Sequence, residues 1–135
     1  MVLKRPYLSG VDATLEKSDI NIGFESIDPK TLAQIGKPIT AEQVKEAFEK
    51  MIEINAAFDR VEVTGNFIAG DNLPPEHEVS LAHLLKHANV KRKSKGAIYL
   101  SPLKDSPRKR ELLPRFYKIK EDSQLPVFVY LIQRL

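Results

Sequence analysis

Strand signals alternate with helix signals along most of this chain, and this order is the strongest constraint on its fold. Apolar β-favouring segments lie at 20–24, 60–70, 95–103 and from Pro126, and helical patterns lie at 29–35, 40–58, 76–88 and from Ser106. The segments between successive strands are long enough for parallel crossovers. We therefore predict an α/β chain with a parallel sheet whose strands are buried on both faces, resembling half of a TIM-like eight-stranded barrel.

The helix boundaries have specific signals. Asp28 followed by Pro29 is typical of a helix start, and Gly36 is typical of a helix end. Thr40 and Gln43 form the pattern of a capping box for the longest helix. The predicted core contacts of that helix are Val44, Ala47, Phe48, Met51, Ile52 and Phe58, and those of the next are Val79, Leu81, Leu84, Leu85 and Ala88.

The length of 135 residues indicates one folding unit. We predict an irregular lead-in over residues 1–19 and a single α/β half-barrel domain over residues 20–135. No apolar run approaches the roughly 20 residues that a membrane-spanning helix needs, and the first residues lack a signal-peptide pattern. The predicted location is the cytoplasm, without membrane contact.

Polar residues follow the first predicted strand directly. Glu25 and Ser26 lie between Phe24 and the helix start at Asp28, and Gly23 lets another group approach closely. Because ligands bind at the carboxyl ends of strands in α/β folds, Glu25 is the first candidate for a binding role.

The chain contains no cysteine, which excludes several kinds of site. It can form no disulfide, no thiolate zinc site, no nucleophilic thiol and no iron–sulfur cluster on its own thiolates. His77, His83 and His87 are possible metal ligands, and the last two are four residues apart on a predicted helix. No third ligand occurs at useful spacing, so no metal site is predicted.

Two segments resemble the second half of the radical S-adenosylmethionine (SAM) barrel. They are GFESIDPKTLAQIGKPITAEQVKEAF and NFIAGDNLPPEHEVSL, which together lie within residues 20–85. The features that carry the resemblance, in order, are Gly23, Glu25, Ser26, Leu32, Ile35, Gly36, Lys37, Val44, Ala47, Phe67, Ile68, Gly70, Pro74 and Glu76. After Lys95 the sequence resembles only a generic sixth strand, helix and later strand of such a barrel.

The resemblance implies a SAM-binding role for three strand ends. Glu25 or Ser26 would hydrogen-bond the ribose or methionine part of SAM, and Asn66 and Ile68 would lie beside the nucleoside. The adenine would be flanked by the next strand end, at Tyr99, Leu100 and Ser101.

The resemblance also implies that the chain is catalytically incomplete alone. The CxxxCxxC loop of the family and its first strands have no counterpart here, so the iron–sulfur cluster would come from sequence outside this chain. The chain would then be a domain or fragment of a longer enzyme, which we favour, half of a split enzyme, or a degenerate half-barrel. An unpaired half-barrel predicts association with the missing N-terminal half or with a second copy.

A different class of function remains open. Residues 86–95 form a basic loop that includes Lys91, Arg92 and Lys93, and such a loop could neutralise RNA phosphates. The alternative prediction is a non-catalytic α/β interaction module that binds RNA through this loop.

Overall fold

A computed structural model describes residues 18–70, 72–103 and 113–129 of the chain. The strands are β1 (Ser18–Glu25), β2 (Val61–Ala69), β3 (Ile98–Pro102) and β4 (Val127–Val129). The helices are α1 (Pro29–Gln34), α2 (Ala41–Ala57), α3 (Pro75–Lys86) and α4 (Leu113–Asp122). The predicted helix start at Ser106 lies outside the described residues.

The strands form one parallel sheet in the order β1-β2-β3-β4. Each strand after β1 therefore pairs with the strand that precedes it in the chain. Two helices lie between β1 and β2, and one helix lies between each later pair of successive strands. The predicted α/β class, with a parallel sheet like half of a β/α barrel, is confirmed.

The helix ends follow the sequence signals. Asp28 Oδ2 accepts a hydrogen bond from the Thr31 amide at the start of α1, and Gly36 has a φ of 73° just beyond its end. Thr40 and Gln43 exchange both hydrogen bonds of a capping box before α2. Both predicted helix starts and the predicted stop at Gly36 are therefore confirmed.

One face of the sheet packs against the helices. Its core side chains include Phe24, Val63, Phe67 and Leu100 from the strands, with Phe48 from α2. Phe24 lies between two other rings, with ring centres 5.3 Å from Phe67 and 6.1 Å from Phe48. This aromatic cluster fixes the carboxyl end of β1 against its neighbours.

The prediction that the strands are buried on both faces is wrong. The other face, which we call the open face, carries polar, aromatic and glycine positions together with the buried Ile68, and burial alternates along β1 and through most of β2. The polar positions are solvated and need no apolar cover, which explains the alternation. The open-face positions are Asp19, Asn21, Gly23, Glu62, Thr64, Asn66, Ile68, Tyr99, Ser101 and Phe128.

One predicted core contact is also wrong. Val79 of α3 is 69% exposed, whereas His77, Leu81 and Leu85 are buried. Residues 77, 81 and 85 repeat every four positions and so share one helix face, and residue 79 lies on the opposite side. A histidine rather than a valine therefore occupies the first buried position of α3. No helix among the described residues is long and apolar enough to span a membrane.

Candidate functional site

The open face has a regular arrangement of rows across the sheet. Because paired residues in a parallel sheet point to the same face, the register places Gly23, Asn66, Tyr99 and Phe128 in one row. The row toward the amino ends contains Asn21 and Thr64, whose side chains form a 2.7 Å hydrogen bond. The next row toward the carboxyl ends contains Ile68 and Ser101.

Glu25 has an unusual backbone conformation at the carboxyl end of β1. Its φ of 69° makes it the one residue other than glycine with positive φ among the described parts of the chain. The pairing of β1 with β2 also shifts between Gly23 and Glu25, as at a β-bulge. Such a conformation costs on the order of 1 kcal/mol for a residue with a side chain, and it is concentrated at functional sites.

This conformation directs the Glu25 carboxylate. A Cβ added at Gly23 would point to the open face and would lie 3.8 Å from Glu25 Oε1, so the carboxylate lies over Gly23. Gly23 leaves the space free that a side chain would fill. The Glu25 carboxylate is therefore on the open face, at the end of the row that leads to Asn66.

The neighbouring strand ends present a hydrogen-bonded pair and an aromatic pair. Ser101 Oγ donates a 2.7 Å hydrogen bond to Asn66 Oδ1, which leaves the Asn66 amide NH₂ as a donor toward the open face. Tyr99 and Phe128 stack with ring centres 5.6 Å apart, and Phe128 is 48% exposed. The open face thus combines a carboxylate, an amide, a hydroxyl and flat aromatic surfaces.

The predicted site residues divide into two groups. Asn66, Ile68, Tyr99 and Ser101 share the open face, and the Glu25 carboxylate lies there as well. Ser26 and Leu100 are fully buried, and Ile68, although at an open-face position, is also buried. The Leu100 side chain belongs to the core on the helix-covered face, and Ser26 Oγ is bonded to other protein groups.

Ser26 forms a buried junction with His77 at the start of α3. Ser26 Oγ lies 2.7 Å from His77 Nδ1 and accepts a 3.0 Å hydrogen bond from the Asp28 amide. His77 Nε2 lies 2.7 Å from the carbonyl oxygen of Ile68. Because a carbonyl can only accept, Nε2 carries the proton and Nδ1 accepts from the Ser26 hydroxyl. The junction links the loop after β1, the end of β2 and helix α3.

The junction between Ser26 and His77 has a structural role and not a catalytic one. Ser26 is 0% exposed and its hydroxyl both donates and accepts within the protein, so no substrate carbonyl can reach it. Burial lowers the pKa of His77 below its ordinary value of 6.5, and the hydrogen bond to Ile68 opposes that shift only in part. His77 is therefore neutral at neutral pH, as its two hydrogen bonds require.

The lowered pKa of His77 predicts a pH-dependent stability. His77 binds a proton near pH 6.5 in the unfolded chain but only at lower pH in the folded chain. Its contribution to the free energy of unfolding is therefore fully present above pH 6.5 and is lost as the pH decreases toward the folded-state pKa. We expect a loss of up to about 1.4 kcal/mol per pH unit from this residue. Urea unfolding at pH 7.5, 6.0 and 5.0 measures it, and His77→Gln should have a smaller loss. An identical pH dependence in the two proteins would contradict the assignment.

The pattern of the sequence does not directly indicate this junction. It suggests His77 only as a possible metal ligand, whereas the structure uses this histidine to join two strand ends. A signal was present, because His77, Leu81 and Leu85 repeat at the spacing of one buried helix face.

The basic loop is partly tied to the protein itself. Arg92 Nη1 lies 2.6 Å from Asp59 Oδ1, and this ion pair lowers the pKa of Asp59. Lys95 Nζ donates to the carbonyl oxygen of Phe58. Lys91 and Lys93 are exposed. RNA binding through this loop stays a prediction, with Lys91 and Lys93 as its most accessible cations.

Comparison with protein-family models, curated proteins and solved structures gave no match. The case for a function therefore depends on the residues of this chain and their arrangement.

Proposed function

We propose that this chain forms one wall of a SAM-binding site in a radical SAM enzyme, as the carboxyl-terminal part of its barrel. The supporting observation is the left-handed conformation of Glu25, which holds a carboxylate on the open face at the carboxyl end of the sheet. A strained residue at this end of a parallel sheet is typical of ligand binding, because those ends form the mouth of the barrel.

The polar and aromatic groups of the open face suit SAM. The Glu25 carboxylate can accept hydrogen bonds from the ribose hydroxyls or the ammonium group of SAM. The Asn66 amide and the Ser101 hydroxyl are adjacent polar partners, and Tyr99 supplies flat surface beside a nucleoside, whereas the Ile68 side chain is itself buried. The buried Ser26 and Leu100 would then act by supporting the site rather than by side-chain contact.

The reductive chemistry would come from elsewhere. The chain has no cysteine, so it does not fit an iron–sulfur cluster, and no step of cluster chemistry is assigned to its residues. Its own role in the proposal is to bind and orient SAM and to close the substrate side. That role requires a second half-barrel, which would supply the cluster and cover the open face.

Calorimetric titration with SAM tests the proposal. The titration is performed on the full chain alone and after mixing with a half-barrel that carries CxxxCxxC. We expect heat of binding in the mixture and an affinity about 10-fold to 100-fold lower in Glu25→Gln, because a charge-assisted hydrogen bond is lost.

Asp19→Asn is the matched control. Asp19 is an exposed carboxylate on the same strand and the same face, at the opposite end of β1. This variant should bind SAM like the unmodified chain. Absence of binding heat in the mixture, or equal affinities for Glu25→Gln and Asp19→Asn, would reject the role of Glu25.

A further inference from the structure

A second polar surface lies on the outside of the helix layer. A groove of about 330 Å³ runs between α2 and the carboxyl end of α3, away from the open face. The charged and imidazole side chains that line it are His83 and His87 at the carboxyl end of α3, Lys45, Glu49 and Glu53 from α2, and Lys91. The proposed SAM site makes no use of these residues.

The two histidines have the geometry of a chelating pair. Their ring centres are 4.4 Å apart with an angle of 47° between the planes. Two metal–nitrogen bonds of about 2.0 Å that meet at roughly 90° place imidazole centres about 4.5 Å apart, whereas a tetrahedral angle requires about 5 Å. The observed separation is compatible with one ion bound by both rings, and imidazole ligands suit Cu²⁺ and Ni²⁺.

The surroundings of the pair carry charges of both signs. His83 lies in the last turn of α3 and His87 caps it, where the helix dipole presents partial negative charge. Glu49 and Glu53 add carboxylates to the groove, where Lys45 and Lys91 add two positive charges. Glu53 also forms a weak ion pair with Lys50 at 3.8 Å. In the part of the chain that the structure describes, no hydrogen bond from another side chain occupies either imidazole.

We propose that His83 and His87 chelate a divalent transition metal ion of the Cu²⁺ or Ni²⁺ class at this groove. The described residues contain no group of three or more histidine, aspartate or glutamate side chains that could hold a metal ion. The histidines therefore supply two nitrogen ligands and water completes the coordination. Both imidazoles bind in their neutral form, so metal binding competes with protons and weakens at low pH.

Calorimetric titration of the untagged full chain with NiCl₂ at pH 7.5 tests this site. We expect one ion per chain and an affinity lower by about tenfold or more in His83→Asn or His87→Asn, because one of two metal–nitrogen bonds is lost. Both histidines are exposed, so neither variant should alter the fold, which circular dichroism checks. A Cu²⁺ electron paramagnetic resonance spectrum should show coupling to two nitrogen nuclei.

Two double variants test whether the Ni²⁺ affinity depends on the spacing of the histidines or only on their number. Val79 is exposed and four residues before His83, so Val79→His with His87→Asn recreates an i, i+4 pair and should recover most of the Ni²⁺ affinity. Lys118 is exposed on α4. The double variant Lys118→His with His87→Asn keeps the number of histidines but has no i, i+4 pair, so it should not recover the Ni²⁺ affinity. No Ni²⁺ binding by the unmodified chain, or unchanged affinity in His87→Asn, would overturn the proposal.

Discussion

Replacing Asn55 by leucine is expected to lower the free energy of unfolding by about 3 kcal/mol, because two buried backbone groups lose their partners. Asn55 is buried in α2, where its Nδ2 donates to the Val63 carbonyl at 2.9 Å and its Oδ1 accepts from the Val63 amide at 2.7 Å. The register of β2 with β3 begins only at Gly65, so Val63 has no strand partner on that side. Leucine is similar in size but can form neither hydrogen bond.

Urea unfolding followed by circular dichroism measures this loss. The matched control is Asn21→Leu, which removes an exposed amide that bonds to the Thr64 side chain on the open face. Because water can replace that hydrogen bond, the control should change stability by less than about 0.5 kcal/mol. Equal free energies of unfolding for the two variants would show that the hydrogen bonds of Asn55 to the backbone of Val63 do not stabilise the protein.

Replacing Gly65 by alanine is expected to lower the free energy of unfolding by about 2 to 3 kcal/mol, because the added methyl group overpacks the core. A Cβ at Gly65 would lie 2.4 Å and 2.7 Å from two atoms of the Phe24 ring and 3.3 Å from Ile98 Cδ1. Phe24 is held by the rings of Phe48 and Phe67, so it cannot move aside without disturbing them. The displaced ring immediately precedes Glu25, so binding at the proposed SAM site should weaken as well.

Gly23→Ala is the control for this change. A Cβ at Gly23 would meet only Glu25 Oε1, at the ordinary contact distance of 3.8 Å, and Gly23 lies on the open face of the adjacent strand. Its effect on unfolding should stay within about 0.5 kcal/mol. Chemical denaturation of both variants provides the comparison, and a Gly65→Ala protein as stable as Gly23→Ala would refute the overpacking argument.

The elements that the sequence predicted well are those with local causes. Asp28 and Pro29 start α1, Thr40 and Gln43 cap α2, and Gly36 ends α1, and each of these effects acts within one helical turn. The parallel sheet followed from the order of elements and the length of their connections. These features needed no knowledge of distant contacts.

The features that the sequence did not reveal depend on contacts between distant segments. Ser26 and His77 are separated by 51 positions, so their hydrogen bond follows only from the docking of α3 beside β1. Polar and apolar residues alternate in the sequences of β1 and β2, which is typical of a sheet with one polar face. Parallel sheets are usually covered on both faces, and this general rule led to the wrong prediction. Glu25 was a candidate because of its place at a strand end, whereas its left-handed backbone conformation is evident only in the structure.

The order β1-β2-β3-β4 also determines how such a chain can fold during synthesis. Each strand after β1 finds its pairing partner in a segment that the ribosome has already released, so only β1 has to wait for later sequence. No two of the described strands form a hairpin, and the first pairing must close the crossover from β1 to β2, which contains α1 and α2. Closing that crossover is the step at which the chain loses the most entropy before strand pairing stabilises it, and each later strand joins a template that already exists.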